Sequence, residues 1–309
     1  MQKFNVKSVN LSEKKGTIKT PSKTIVLNDT GVSGDAHSGP WHRQVSLLGI
    51  ESYRKTKEAS GIDLNYGDFA ENITTEGLAL HHSIIFDRFV CGDIELEVTQ
   101  IGKKCHNGCE IKTLVGDCVM PREGIFCRVL SGGILKPGDV FEYIPRQIKV
   151  HIITLSDRAH AGIYEDKSGP FAEKTLKSFF DKNGRHYSFK RTILPDDKSQ
   201  IEKVMRESRS AGFDVLVTTG GTGIGPRDHT PDIVKPLLDK EIPGIMEAIR
   251  VKYGLDKPNA LLSRSIAGVM GKTLVYVLPG SVKAVNEYLS LINPTIEHSL
   301  RMLHGIDAH

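Results

Sequence analysis

Cysteine is absent from the last 182 residues of this 309-residue chain; all five (Cys91, Cys105, Cys109, Cys118 and Cys127) fall within 37 residues. An odd, clustered count does not make a disulfide framework and suits reduced thiols. Long apolar runs are missing too, so no helical segment is expected to cross a bilayer. The opening stretch MQKFNVKSVNLSEKKG has no apolar core, so no secretory leader is expected and the expected compartment is the cytoplasm. Nor do Lys and Arg gather into runs. Residues 1–145 hold 17 basic against 18 acidic side chains, and residues 146–309 hold 24 against 19. That excess of +5 in the second half suits a small phosphate-bearing molecule, and nothing in it suits nucleic acid. With 39% hydrophobic and 25% charged residues the composition is globular.

The length predicts two domains, and the pattern changes near residue 146. Before it come short runs read as strands: Phe4–Val9, Gly16–Leu27, Arg43–Leu48, His82–Phe86, Ile94–Ile101, Ile125–Leu130 and Asp139–Ile144. Turns such as GVSGD and KPGD separate them, and one helical stretch, Ile50–Ala59, interrupts them; a mostly-β barrel is expected. After it, apolar strands at Lys149–Leu155, Tyr187–Leu194, Phe213–Thr218, Ser265–Met270 and Thr273–Leu278 alternate with helical spacing, which predicts a doubly wound α/β sheet. Tyr143–Gln147, with Pro145, is the expected linker.

In the second half each polar cluster follows a strand: Ser156-Asp157-Arg158, Pro195-Asp196-Asp197, Thr218-Thr219-Gly220-Gly221-Thr222-Gly223 and Pro279-Gly280-Ser281. If the strands are parallel, these loops meet at the carboxyl edge, where open α/β sheets bind ligands. The glycines allow close backbone approach, with N–H groups free to cradle an anion. Gly280-Ser281 opens a helix, with Lys283 inside its first turn, a natural oxyanion position. Asp196, Asp228 and Asp232 add carboxylates, which suit the same edge if Mg²⁺ bridges them to phosphates. Taken singly, each motif also fits a tight turn, a helix cap or a solvated side chain.

The stretches TLSDRAHAGIYEDKSGP, ILPDD, DVLVTTGGTGIGPRDHTPD, EIPGIMEAIR, LLSRSIAGV and LPGSVKAV run in order through Ile152–Leu303. This segment resembles the molybdopterin adenylyltransferase family of the MogA/MoaB type. The resemblance implies a three-layer α/β domain, a homo-oligomer (a trimer through this domain), and Mg²⁺, ATP and molybdopterin as metal and substrates. By the same resemblance Asp196 and Asp228 are the essential aspartates and Mg²⁺ ligands. Thr219, Gly220, Gly221, Thr222 and Gly223 form the phosphate loop, Ser156 and Asp157 are the first-strand pair, and Gly280 and Ser281 lie on the pterin side.

In the first half, GVSGDAHSGPWHRQVSLL carries Asp35, His37, His42 and Arg43, and Cys105 follows a strand beside Lys103, Lys104 and His106. Neighbouring cations favour a thiolate; a plain buried cysteine and a zinc ligand also fit. With GDFAENITTEGL, ELEVTQIGKKCH and LKPGDV, residues 1–145 resemble the MOSC domain, a β-barrel module. That resemblance implies binding or modification of the molybdenum cofactor, with Cys105 as the key cysteine. The whole then reads as a MOSC module fused to an adenylyltransferase at residue 146, with a molybdate-insertion protein as a potential partner. The alternative is a non-catalytic carrier of the pterin cofactor, its MOSC half a sulfur carrier or an oxidoreductase module.

Overall fold

The computed structural model describes residues 2–103 and 118–306. The chain divides into two compact units, Met1–Arg146 and Gln147–His309.

The first unit is a closed barrel. The strands of this unit are β1 (Gln2–Leu11), β2 (Thr20–Ser22), β3 (Ile25–Asn28), β4 (Gly31–Val32), β5 (Val45–Gly49), β6 (Ile73–Glu76), β7 (Arg88–Cys91), β8 (Ile94–Ile101), β9 (Ile125–Ser131), β10 (Gly133–Leu135) and β11 (Val140–Ile144), of which β10, β3 and β4 form a separate three-stranded sheet. The order β11-β7-β8-β9-β5-β6-β1 closes on itself because β1 also pairs antiparallel with β11. Alternate residues (Phe4, Val6, Leu96, Val98, Phe141) fill the interior, as closure with period-two side chains requires. Helix α1 (Ile50–Ser60) packs Tyr53 beside Phe69 in a second apolar cluster, and the short α2 (Met120–Glu123) precedes β9.

Two expected strands differ. His82–Phe86 is the end of a 3-10 turn (Leu80–His82) and the loop after it, and the strand follows at β7. Gly16–Leu27 is split between β2 and β3, with Pro21 in the first of them. The parallel partner of β5, Ile73–Glu76, was not expected from sequence. Its four residues ITTE include three β-branched side chains, but the run is too short and too polar to show a strand period, and it is held by β5 and β1 on either side.

The second unit holds a six-stranded sheet of β12 (Gln147–Leu155), β13 (His186–Leu194), β14 (Val215–Thr219), β15 (Lys240–Glu241), β16 (Ala267–Met270) and β17 (Thr273–Leu278), in the order β13-β12-β14-β17-β16-β15. The first four in that order are parallel, β16 pairs antiparallel with β17, and β15 pairs antiparallel with β16, so only β16 runs against the rest. Strands buried on both faces read as continuous apolar runs, which is why β14 and β17 were visible in sequence. After β12 comes the short helix α3 (Asp157–His160), then α4 (Ser168–Lys182). Next are α5 (Lys198–Ser210), α6 (Thr230–Val234), α7 (Pro243–Gly254) and α8 (Val282–Leu303). Helices α5 and α6 cover one face through Ile201, Met205 and Val234. On α4 and α8 the buried residues recur every three or four positions (Ala172, Leu176, Phe180; Val285, Leu289, Ile292, Ile296, Leu300), and the two helices pack together over β12 and β17. The doubly wound expectation holds, with an antiparallel extension at one edge. Helix α6 starts at Thr230, with Pro231 in its first turn.

The order β13-β12-β14 reverses direction between β12 and β14. This is the topological switch point, where the connections leave to opposite faces and a crevice opens beyond the strand ends.

Candidate functional site

The crevice beyond β12 and β14 is about 460 Å³, and residues from four loops line it: Ser156, Asp157 and Arg158; Asp196; Gly220–Gly223 and Asp228; Gly280 and Ser281. Five strands separate the first loop from the last in sequence, yet the parallel register carries all four to one edge.

Each loop has a local reason for its shape. Ser156 caps α3, its hydroxyl accepting from the Ala159 N–H (3.3 Å), and it also contacts the Tyr164 hydroxyl (2.9 Å). Asp157 and Asp196 brace one another: the Asp196 N–H donates to Asp157 Oδ1 (3.1 Å), and the Asp157 N–H donates to Asp196 Oδ2 (3.3 Å). Asp197 faces away and caps α5 through the Gln200 N–H (2.9 Å). Gly220 and Gly221 have φ of +113° and +63°. A Cβ on Gly220 would lie 2.2 Å from the Leu155 carbonyl oxygen, and one on Gly221 would lie 2.3 Å from Thr230 Oγ1. Glycine is required at both positions by backbone angle and by space. Asp228 folds back on the loop, accepting from the Gly225 N–H (2.9 Å). Ser281 caps α8 through the Ala284 N–H (3.2 Å), so the N-terminus of a 22-residue helix adjoins the crevice.

Burial pushes the Asp196 carboxyl above the usual carboxylate range, and the Asp157 and Asp228 carboxylates push the same way. The Asp157 N–H and the Arg227 guanidinium oppose them. Crowded carboxylates of this kind need a cation or a proton. Arg227 supplies part of the compensation by pairing with Asp157. Among the described residues no group of three or more His, Cys, Asp or Glu is arranged to hold a metal by itself. With Asp157 paired to Arg227, Asp196 and Asp228 are the carboxylates left to the crevice, and they fit Mg²⁺, which takes one or two protein carboxylates and completes its shell from phosphates and water.

A second cavity of about 570 Å³ adjoins the first and shares Thr222, Gly223 and Ser281 with it. Its walls are more apolar, with Ile249, Tyr253 and Tyr288, and Lys257 and Lys283 also line it. It is wide enough for a fused ring system.

Of the residues singled out in sequence, Thr219 does not line the crevice. It is buried, and its hydroxyl meets that of Ser168 (3.0 Å). Cys105, with Cys109 and His106, lies outside the described residues. Sequence reasoning missed Tyr164, Arg227 and Arg264; all three lie within the stretches that carried the family resemblance, but no spacing rule distinguishes them from surface residues.

In the barrel, Asp35 and Lys19 form a buried ion pair, each side chain 1% exposed. Burial alone would raise the Asp35 carboxyl. Hydrogen bonds from His37 and Lys19 outweigh it and hold the group well below the ordinary carboxylate range. The His37 N–H (2.9 Å) and the Ser12 N–H (3.1 Å) complete its shell. Arg43 lies over the Trp41 ring (4.8 Å). Fully buried Glu71 accepts from the Tyr53 and Thr74 hydroxyls (2.6 Å each) and the Gly67 N–H (2.8 Å), and burial pushes its carboxyl up.

The second unit is thus of a definite class: a doubly wound α/β domain whose switch-point crevice combines backbone donors, a helix N-terminus and carboxylates, joined in one chain to a closed β-barrel. The family model described as "Probable molybdopterin binding domain" matches residues 151–298, and the MOSC domain model matches residues 34–142. The molybdopterin adenylyltransferase of Pyrococcus furiosus is 40% identical over 162 residues, covering 51% of this chain and 92% of that protein. Gephyrin of Dictyostelium discoideum is 37% identical over 162 residues, and there the match spans 50% of this chain and only 22% of the relative. The crystal structure of the tungsten cofactor synthesizing protein MoaB from Pyrococcus furiosus is 36% identical, with a TM-score of 0.46, covering 53% of this chain and 99% of that one. The chain belongs, through its second unit, to the MogA/MoaB-type molybdopterin-binding family, and it carries a MOSC domain ahead of it. Among the described residues no helix is long and apolar enough to cross a membrane.

Proposed function

We propose that the second unit transfers the adenylyl group of ATP to the phosphate of molybdopterin. A molybdopterin phosphate oxygen attacks the α-phosphorus, the bond to the bridging oxygen of the β-phosphate breaks, and pyrophosphate leaves with the electron pair. The attacking group is already an anion, so no general base is required. The observation that carries the reading is the meeting of Asp157, Asp196, Asp228 and the Gly220–Gly223 backbone in one polar crevice, next to a second cavity sized for a ring system. In this reading the glycine-loop N–H groups and the α8 N-terminus stabilise the charge that develops at the α-phosphate. Mg²⁺, held by Asp228 and Asp196 together with the triphosphate, would neutralise charge between the phosphates. Ser281, shared by both cavities, would orient the pterin side.

The experiment is pyrophosphate release by the purified full-length chain given molybdopterin and Mg²⁺-ATP. Turnover is expected, and Asp228→Asn and Asp196→Asn are expected to lower it by about 10²–10³-fold. Tight molybdopterin binding without pyrophosphate release would instead make the protein a carrier. For the barrel we propose binding or modification of the cofactor, supported by the buried Lys19–Asp35 pair with half-buried His37 beside it; Cys105 remains the proposed thiol. The proposed compartment is the cytoplasm and the proposed assembly is a trimer through the second unit. The assembly is supported by the exposed Val251, Leu255, Leu261 and Leu262, and light scattering tests it.

A further inference from the structure

Arg264 does not line the crevice, yet it holds the loop that does. Its backbone N–H donates to the Thr222 carbonyl (2.8 Å). Its Nε donates to the Gly223 carbonyl (2.8 Å), its Nη1 to Asp232 Oδ1 (2.8 Å) and its Nη2 to the Asp228 carbonyl. One guanidinium therefore grips both limbs of the segment 220–232, the glycine-rich outgoing limb and the returning limb that carries Asp228. Besides this grip, the limbs are tied by the Gly225 N–H to Asp228 (2.9 Å) and the Thr230 N–H to the Gly221 carbonyl (3.1 Å). The Asp232 carboxylate is exposed, so that arm of the grip is screened by solvent and the two carbonyl arms dominate. A planar fork suits three acceptors fixed in space, and the flexible single ammonium of lysine does not.

We propose that Arg264 is a positioning residue: by clamping the carbonyls of Gly223 and Asp228 it fixes the separation between the glycine-loop donors and the Asp228 carboxylate. The consequence for nucleotide binding rests on the reading of the crevice as an ATP site. The clamp itself does not. Arg264 acts through the loop, and removing it leaves three acceptors without their donor while the sheet beneath is untouched.

The test uses the full-length chain, wild type, Arg264→Lys and Arg264→Gln, with two measurements. The first is amide hydrogen exchange without nucleotide. Both variants are expected to exchange at least about tenfold faster over residues 221–230, Gly225 included, while the amides of β12, β14 and β17 keep their protection. The second is calorimetric titration with Mg²⁺-ATP, whose affinity is expected to fall about ten- to a hundredfold, the worth of charged hydrogen bonds lost from the loop. Wild-type exchange over 221–230 in both variants overturns the inference. So does a loss of protection that spreads through the whole sheet, because Arg264 would then be a general stabiliser. If the loop loosens as expected but the wild type itself does not bind Mg²⁺-ATP, the clamp stands and the ATP reading falls.

Discussion

Gly220 and His151 show how single residues divide between function and stability. Alanine at Gly220 meets the Leu155 carbonyl at 2.2 Å and takes a φ of +113°. Gly220→Ala is therefore expected to cost at least about 1–3 kcal/mol in denaturant unfolding and to abolish pyrophosphate release, since the loop must shift to relieve the contact. His151 is buried in β12, its ring nitrogens facing the Ser208 (2.7 Å) and Thr192 (2.8 Å) hydroxyls. Burial, with Lys190 adding to it, lowers its pKa from 6.5 to about 4. The folded state thus favours the neutral ring, and the stability this contributes is present above pH 6.5 and lost as pH falls from there toward 4. Urea midpoints measured between pH 7 and 4 should decline, and His151→Gln should flatten that decline. Adjacent Asp196 and Asp197 divide in the same way. Asp197→Ala should lower the urea midpoint by removing the α5 cap while leaving pyrophosphate release intact, whereas Asp196→Asn should do the reverse.

Among elements, those that bury both faces were legible and those that depend on a partner were not. Strand β14 is an apolar run between Asp214 and Gly220, β17 is one that ends at Pro279-Gly280, and the second half of β12 is one that ends at Ser156, so their carboxyl ends and the loops after them could be read directly. The four loops that form the crevice were legible for the same reason: strand direction does the assembling. ITTE at β6 carried no such pattern, and the apparent strand at His82–Phe86 is β-branched only through Ile84 and Ile85. Arg264 was invisible because its grip spans 36 and 41 residues and depends on carbonyl positions that no residue type announces. Long-range ionic ties behave similarly. Arg185, ahead of β13, pairs through two nitrogens with Glu297 of α8, and its side chain is 2% exposed. Glu297→Ala should cost about 3 kcal/mol, because it removes the carboxylate that two nitrogens of a buried guanidinium share; thermal unfolding would report it.

At the scale of the molecule, each unit has its own core and only Pro145 and Arg146 separate β11 from β12. The fragment Gln147–His309 is expected to unfold in a single cooperative transition and, on the proposed function, to release pyrophosphate at the full-length rate per site. Covalent joining would then serve the barrel's access to the product rather than the chemistry itself. The seam of the barrel has a further consequence. Strand β1 is sealed by Val140–Ile144, so closure waits until the chain has been made as far as β11. On the ribosome the early strands stand with an open edge throughout that interval. A nascent chain that stalls before Val140 leaves the seam unsealed, which makes this stretch of translation the one in which chaperone capture would matter most.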